Sequence, residues 1–221
     1  MKMIRSFLLM TLSICTLVLT SCKKNTEKAD LNNEAESTKI NLELELANNS
    51  DSHLEAWVNY YKQGDNSFSL AKFELKNTDT IHLLPGTIIP SYDSDFDTVY
   101  KPYLFYSPDR SKYIDIDSYW WRIGDNYKVG FEPDQEIDLV NLKTREVSRI
   151  KFFGPSEWVE TVLWETNDIV YLLENTIDNV PVISKINLQN HLEYQYFYTD
   201  TLRFQSDFTR IRLHEKGAQF N

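Results

Sequence analysis

Residues 104–117 read LFYSPDRSKYIDID. An aromatic run stops at Ser107-Pro108-Asp109-Arg110-Ser111 and resumes as an alternating apolar and polar segment. Pro108 presets the first corner of a turn, and Ser107 and Asp109 offer side chains that cap it. Alternation in Tyr113–Asp117 has the period of two that belongs to a strand. The stretch therefore predicts a strand, a tight turn and a second strand.

The same kind of pattern recurs. EIDLVNLKTREVSRIKFF (136–153) predicts a hairpin around Leu142-Lys143-Thr144-Arg145, and VETVLWETNDIVYLLE (159–174) one around Glu165-Thr166-Asn167-Asp168. PVISKINLQNHLEYQYFY (181–198) predicts another around Leu188-Gln189-Asn190-His191. Phe105-Tyr106 matches Leu163-Trp164 at an offset of 58, and Asn141-Leu142 matches Asn187-Leu188 at an offset of 46. Extra sequence around 118–133 absorbs the difference. A fainter third copy is KFELKNTDTIHLL (72–84). Periods of this length with four strands each point to propeller blades.

Ser107-Pro108-Asp109, together with IDLVNLKTREVSRI, resembles WD40-like and TolB-like propeller repeats, over about residues 98–202. In that family an SPDG turn joins two blade strands, and a D-L-x-T-x-E segment makes the outer hairpin. Arg110 stands where the family has glycine. Closed rings need at least about four blades, and the roughly 180 residues after the leader supply three at most. The expectation is an all-β domain of antiparallel, blade-like sheets resembling an incomplete β-propeller, with a β-sandwich as the alternative.

Ahead of these hairpins, KINLELELA (39–47) alternates like a strand, although its Leu and Glu also favour helix. EAWVNYYK (55–62) and FSLAKFELK (68–76) continue as strands on either side of the turn QGDNS. Residues 90–97 read as a loop. TVYKPYLFY (98–106) resumes strand character, with Pro102 marking an edge or a bend.

The amino terminus has a different purpose. Lys2 and Arg5 precede the mostly apolar run Ser6–Thr20, then small Ser21 and Cys22. That order is a secretory leader, and the run is short of the roughly 20 residues a membrane-spanning helix needs. Leu19-Thr20-Ser21-Cys22 resembles the bacterial lipoprotein signal, and the leader with SCKKN is similar to lipoproteins of Bacteroidota. The resemblance implies cleavage before Cys22 and acylation of its sulfur and its new amine. Each buried CH₂ then contributes about 0.8 kcal/mol to the anchor. Cys15 leaves with the leader, so no disulfide, cysteine nucleophile or cysteine-based metal site is expected in the mature chain. Residues 22–38 lack aromatics and read as a flexible tether. The expected organisation is a signal peptide at 1–21, a tether at 22–38 and a single all-β domain at 39–221. Lys23 after the cysteine resembles outer-membrane sorting, and the basic KKNTEK favours a periplasm-facing domain over a surface one.

The formal charge is −10, and removal of Lys2 and Arg5 makes it −12. Such a chain repels phosphate backbones, so no nucleic-acid partner is expected. His53, His82, His191 and His214 are scattered, without metal spacing. Asp93, Asp95 and Asp97 resemble the start of a calcium loop, but Thr98 and Leu104 stand where the turn glycine and the bidentate glutamate belong. No cofactor or metal is expected.

Two constellations remain. Asp115 and Asp117 share a strand face and could act as acid and base in a glycoside-processing enzyme. Their alternation with Ile114 and Ile116 places them more simply on the wet face of a half-buried strand. DSYWWRIGDNYKVGF (117–131) carries Tyr119, Trp120 and Trp121, the candidate ligand-binding residues. It falls in the insertion between matched hairpins, and aromatic platforms stack on sugars or peptide side chains. The leading expectation is a non-catalytic lipoprotein, tethered to the membrane through Cys22, that binds a protein or glycan partner in the envelope. A carboxylate-based glycoside-processing enzyme is the alternative, and a component of a larger envelope assembly a third reading.

Overall fold

One asparagine turn closes two of the long hairpins. Asn141 Oδ1 accepts the amides of Lys143 at 2.9 Å and Thr144 at 3.1 Å, and Arg145 follows at φ 60°. Forty-six residues later, Asn187 Oδ1 accepts those of Gln189 at 2.9 Å and Asn190 at 3.4 Å, and His191 follows at φ 59°. An asparagine that mimics a backbone turn, then a left-handed residue, reverses the chain within four positions. The SPDR turn uses a related device. Ser107 Oγ accepts Lys112 N at 3.1 Å, Asp109 Oδ1 accepts Ser111 N at 2.9 Å, and Arg110 adopts φ 55°. A side chain at positive φ costs roughly 1 kcal/mol relative to glycine. Both arginines lay their guanidinium over a tyrosine, Arg110 over Tyr106 at 4.4 Å and Arg145 over Tyr92 at 4.5 Å.

The computed structural model describes Leu46 and residues 51–123 and 129–220. Their elements are α1 (Ser52–Gly64), β1 (Phe73–Thr80), β2 (Leu84–Pro85), β3 (Phe105–Tyr106), β4 (Lys112–Asp115), β5 (Trp121–Ile123) and β6 (Val129–Phe131). There follow β7 (Gln135–Asn141), β8 (Glu146–Phe153), β9 (Glu157–Trp164), β10 (Ile169–Thr176), β11 (Val182–Asn187), β12 (Leu192–Tyr198) and α2 (Phe208–Glu215). They make two five-stranded antiparallel sheets, ordered β1-β12-β11-β10-β9 and β2-β8-β7-β4-β3, and the separate hairpin β5-β6. The two large sheets correspond strand for strand. Each is a four-stranded meander extended at its last strand by one earlier strand. The expected all-β class holds in this form, with few helices.

Both faces of β10 are buried, which explains the unbroken apolar run IVYLL. Val170 and Leu172 face a core shared with Ile114, Ile137 and Ile150 of the second sheet. Tyr171 and Leu173 face the opposite way, onto Leu54, Trp57 and Tyr61 of α1. Each fully buried side chain of this size contributes roughly 1.5–3 kcal/mol. Lys151 of β8 ties the sheets together, reaching Glu174 of β10 at 3.2 Å, Ser184 of β11 at 3.3 Å and Glu193 of β12 at 2.6 Å.

The structure corrects several expectations, and in FSLAKFELK the strand begins only at Phe73, after a 3₁₀ turn at Leu70–Lys72. EAWVNYYK is helical, because Leu54, Trp57 and Tyr61 recur at helical spacing and Asp51 caps the start by accepting His53 N at 2.8 Å. The helix ends at Gly64, where a Cβ would stand 2.4 Å from the Phe204 ring. In TVYKPYLFY only Phe105-Tyr106 is strand. Thr98–Tyr103 is a 3₁₀ turn capped by Asp97, whose carboxylate accepts Val99 N at 3.0 Å, and Pro102 withholds a donor. The C-terminal helix α2 belongs to no expected element. The signal peptide, the tether with Cys22, and residues 39–45 and 47 of the first expected strand lie outside the described residues. Leu46 itself is helical and buried against the α1 core. Among the described residues, no helix is long and apolar enough to cross a membrane.

Candidate functional site

The three consecutive aromatics go three separate ways. Asp115 at the end of β4 holds the turn that leads to them: its Oδ1 accepts the amides of Asp117 and Ser118 at 2.9 Å each, and its Oδ2 accepts Ser118 Oγ at 2.7 Å. The hairpin β5-β6 then pairs Trp121 with Phe131. Trp120 is the last residue of the turn, and its amide and that of Trp121 both donate to Asp117 O. Trp121 points inward, fully buried between Tyr100 at 4.9 Å and Tyr103 at 5.1 Å, with its Nε1 donating to Asp117 Oδ1 at 3.0 Å. It is therefore a core residue, without a surface to offer a ligand.

Trp120 points the other way. It is half-buried, packs on Phe131 at 4.9 Å, and lines a cleft of about 470 Å³. Trp158 at the start of β9 completes the aromatic side. The segment Gln205-Ser206-Asp207 and Thr209 and Arg210 of α2 supply the polar side. Tyr119 lines a different cavity, of about 520 Å³, with Ile88, Ile89, Tyr100 and Arg122. Residues 124–128 of the candidate segment lie outside the described residues.

The polar wall is anchored from behind. Ser206 Oγ donates to the buried carboxylate of Glu160, which also accepts Trp57 Nε1 at 2.8 Å and Tyr61 OH at 2.7 Å. Burial pushes the Glu160 carboxyl above the usual range, against the lowering by these donors. Burial, then the Glu160 charge, pushes the Tyr61 phenol well up. Glu160 sits where the β9-β10 register slips, so the carboxyl belongs to an irregularity in the strand. Thr209 is 6% exposed, and its hydroxyl has no hydrogen-bond partner among the described residues. Asp207 Oδ1 lies 3.7 Å from Arg210 Nε at the rim.

Asp115 and Asp117 are not on a wet face, and this corrects the sequence reading. They are 2% and 0% exposed. Asp117 is forked by Arg212, with Nη1 at 2.9 Å and Nη2 at 2.8 Å, while Arg212 Nε donates to the Glu160 carbonyl at 2.7 Å. Asp115 is consumed by its own turn, and burial raises its carboxyl against those hydrogen bonds. Asp93 and Asp97 cap backbone turns, with Asp93 Oδ1 accepting Asp95 N at 3.0 Å and Asp97 Oδ1 accepting Val99 N at 3.0 Å. Among the described residues, no group of three or more His, Cys, Asp or Glu is placed to hold a metal ion.

Sequence reasoning missed Trp158, Ser206, Thr209 and Arg210. A signal for the last three existed, since Ser206-Asp207 precedes Phe208 as a helix-starting pair and Ser206 Oγ accepts Phe208 N at 3.2 Å. Comparison with family models, with curated proteins and with solved structures finds no match for this chain.

Proposed function

We propose that this chain is a lipoprotein, tethered to the envelope membrane through Cys22, whose domain binds a glycan without transforming it. The observation that carries the binding reading is the cleft of about 470 Å³ with Trp120, Phe131 and Trp158 on one side and Gln205, Ser206, Asp207, Thr209 and Arg210 on the other. Sugar rings present apolar faces and hydroxyl edges together, and a cleft with aromatic faces beside donors and acceptors matches both. Hydrolysis asks for two carboxylates facing one bond. Among the residues lining the cleft Asp207 is the one carboxylate, which favours binding over the glycoside-processing alternative. The matching strand order of the two large sheets supports the blade-like, propeller-type reading of the domain.

Titration with a panel of oligosaccharides, followed by tryptophan fluorescence, tests the binding. A saturable change is expected for at least one glycan. Trp120→Ala is expected to weaken that binding by about tenfold or more and to lower the melting temperature only modestly, because Trp120 is partly buried against Phe131 and lies outside the core. A panel with no saturable response, or full affinity in the variant, would remove the proposal. The tether has its own test. The full chain is expected in the membrane fraction, and Cys22→Ala is expected to appear in the soluble fraction or to stay uncleaved. Normal processing with unchanged membrane retention counts against acylation.

A further inference from the structure

A second cavity, of about 400 Å³, opens between β3 and β9, away from the aromatic cleft. Two cations, Lys216 and Arg110, line it with one carboxylate, Asp51, in a chain whose formal charge is −10. Lys216, the residue that ends α2, brings its Nζ to 5.1 Å from the centre of the Phe105 ring and 5.8 Å from that of Tyr103. Arg110 lines the same cavity from the SPDR turn. Among the described residues neither cation makes an ion pair. His53 stands edge-on to the same Phe105 ring at 5.3 Å, and its Nδ1 lies 2.7 Å from Asp51 Oδ1. The Asp51 carboxylate is thus engaged with His53 at the start of α1, and the Asp117 and Glu215 charges act on Lys216 only from a distance, without an ion pair.

Three further facts bear on what the cavity takes. Burial, then the neighbouring Arg212 charge, holds the Lys216 ammonium below the usual lysine range. A cation disfavoured by its surroundings gains from an anion beside it. Arg110 is held with its guanidinium over the Tyr106 ring at 4.4 Å, and both residues line this cavity. Asp51 and His53, paired with each other, line one side of the cavity, and the rest of the wall is largely apolar, with Phe105, Val162, Leu163 and Trp164.

We propose that this cavity binds a small organic anion, one carboxylate or phosphate on an apolar body, with the head group between Lys216 and Arg110 and the body against Phe105 and Trp164. The site is independent of the glycan cleft, because none of its lining residues is shared with it.

The test uses the purified full chain, calorimetry and thermal shift, and three probes of similar size: phenyl phosphate, benzoate and benzyl alcohol at constant ionic strength. Saturable binding of phenyl phosphate or benzoate, or of both, is expected, and the tighter of the two identifies the head group. Benzyl alcohol is expected to bind at least tenfold more weakly. Lys216→Met, which keeps the length of the stem, and Arg110→Gly are each expected to weaken anion binding by about tenfold. Arg110→Gly is expected to melt no lower than the parent, so its loss of binding cannot be ascribed to unfolding. Trp120→Ala is expected to bind the anion as the parent does, which separates this site from the cleft. No saturable anion binding at about 10 mM, equal binding of benzyl alcohol, or full affinity in both cation variants would overturn the proposal.

Discussion

Arg212→Met is expected to lower the stability of the domain by about 3–5 kcal/mol. Arg212 is 4% exposed and Asp117 is fully buried. The guanidinium meets both carboxylate oxygens of Asp117 and the Glu160 carbonyl, at 2.9, 2.8 and 2.7 Å. Methionine fills part of the volume but leaves the Asp117 carboxylate with Trp121 Nε1 as its one remaining side-chain donor among the described residues. An uncompensated buried charge costs far more than the intact pair contributes. The shift in melting temperature should be roughly 10 °C for a domain of this size. The double variant Asp117→Leu with Arg212→Met is expected to recover most of the loss, since apolar replacement of a whole buried pair is often close to neutral. Thermal melts of the two variants and the parent check this. A single variant within 2 °C of the parent, or a double variant no better than the single, would show that the pair does not hold the helix. The effect reaches the cleft too, because Thr209 and Arg210 ride on the helix that Arg212 pins.

Local chemistry decided what the sequence could reveal. Asn141 and Asn187 each close a turn with their own side chain, so both hairpins are written within four residues and repeat visibly at an offset of 46. The β-branched and aromatic content of the IVYLL run likewise speaks for a strand on its own. The helices are less local. WVNYY has strand-favouring residues, and its helical period rests on the Asp51 cap together with burial of Leu54, Trp57 and Tyr61 against Leu163, Leu173 and Tyr196. Alternation predicts that Trp120 and Trp121 diverge, but which one faces inward depends on Tyr100, Tyr103 and Asp117 together. Asp117 looked like a wet-face residue because its partner lies 95 residues away on a helix that the sequence did not announce. The cleft is divided between β9, the β5-β6 hairpin and the C-terminal segment, so no single stretch displays it.

Asp138→Asn is expected to stabilise the domain progressively more as pH rises from about 4 to about 8, by a total of several kcal/mol. Asp138 of β7 is fully buried, with no donor on either carboxyl oxygen among the described residues, and its own proton is what bonds it to the neighbouring Glu136 carboxylate. Gly86 lies directly upon it, where a Cβ would stand 2.2 Å from Oδ1. Burial first, then the charges of Glu136 and Asp115, push its carboxyl up to about 8, and Arg149 opposes them. The folded chain therefore holds a proton that the unfolded chain releases near pH 4. A carboxyl raised in the folded state stabilises fully below its unfolded value, and that contribution is lost as pH rises through about 8. The slope is about 1.4 kcal/mol per pH unit over that window. Asparagine keeps the shape and stays uncharged, so the variant should lack this share of the slope. Denaturant melts at pH 5, 7 and 9 measure the difference, and parallel profiles for variant and parent would dismiss the buried proton. The consequence is spatial as well as energetic. Gly86 N donates to Val147 O at 3.1 Å, and Thr87 N donates to Glu136 Oε1 at 2.7 Å, so the strap above Asp138 hangs on neighbours of the same carboxyl. Ionisation of Asp138 beside Glu136 should loosen that strap, and Thr87, Ile88 and Ile89 of the strap line the cavity of about 520 Å³ that Tyr119 enters. Amide exchange at Gly86 and Thr87 is expected to gain, above pH 8, an opening component that Asp138→Asn removes.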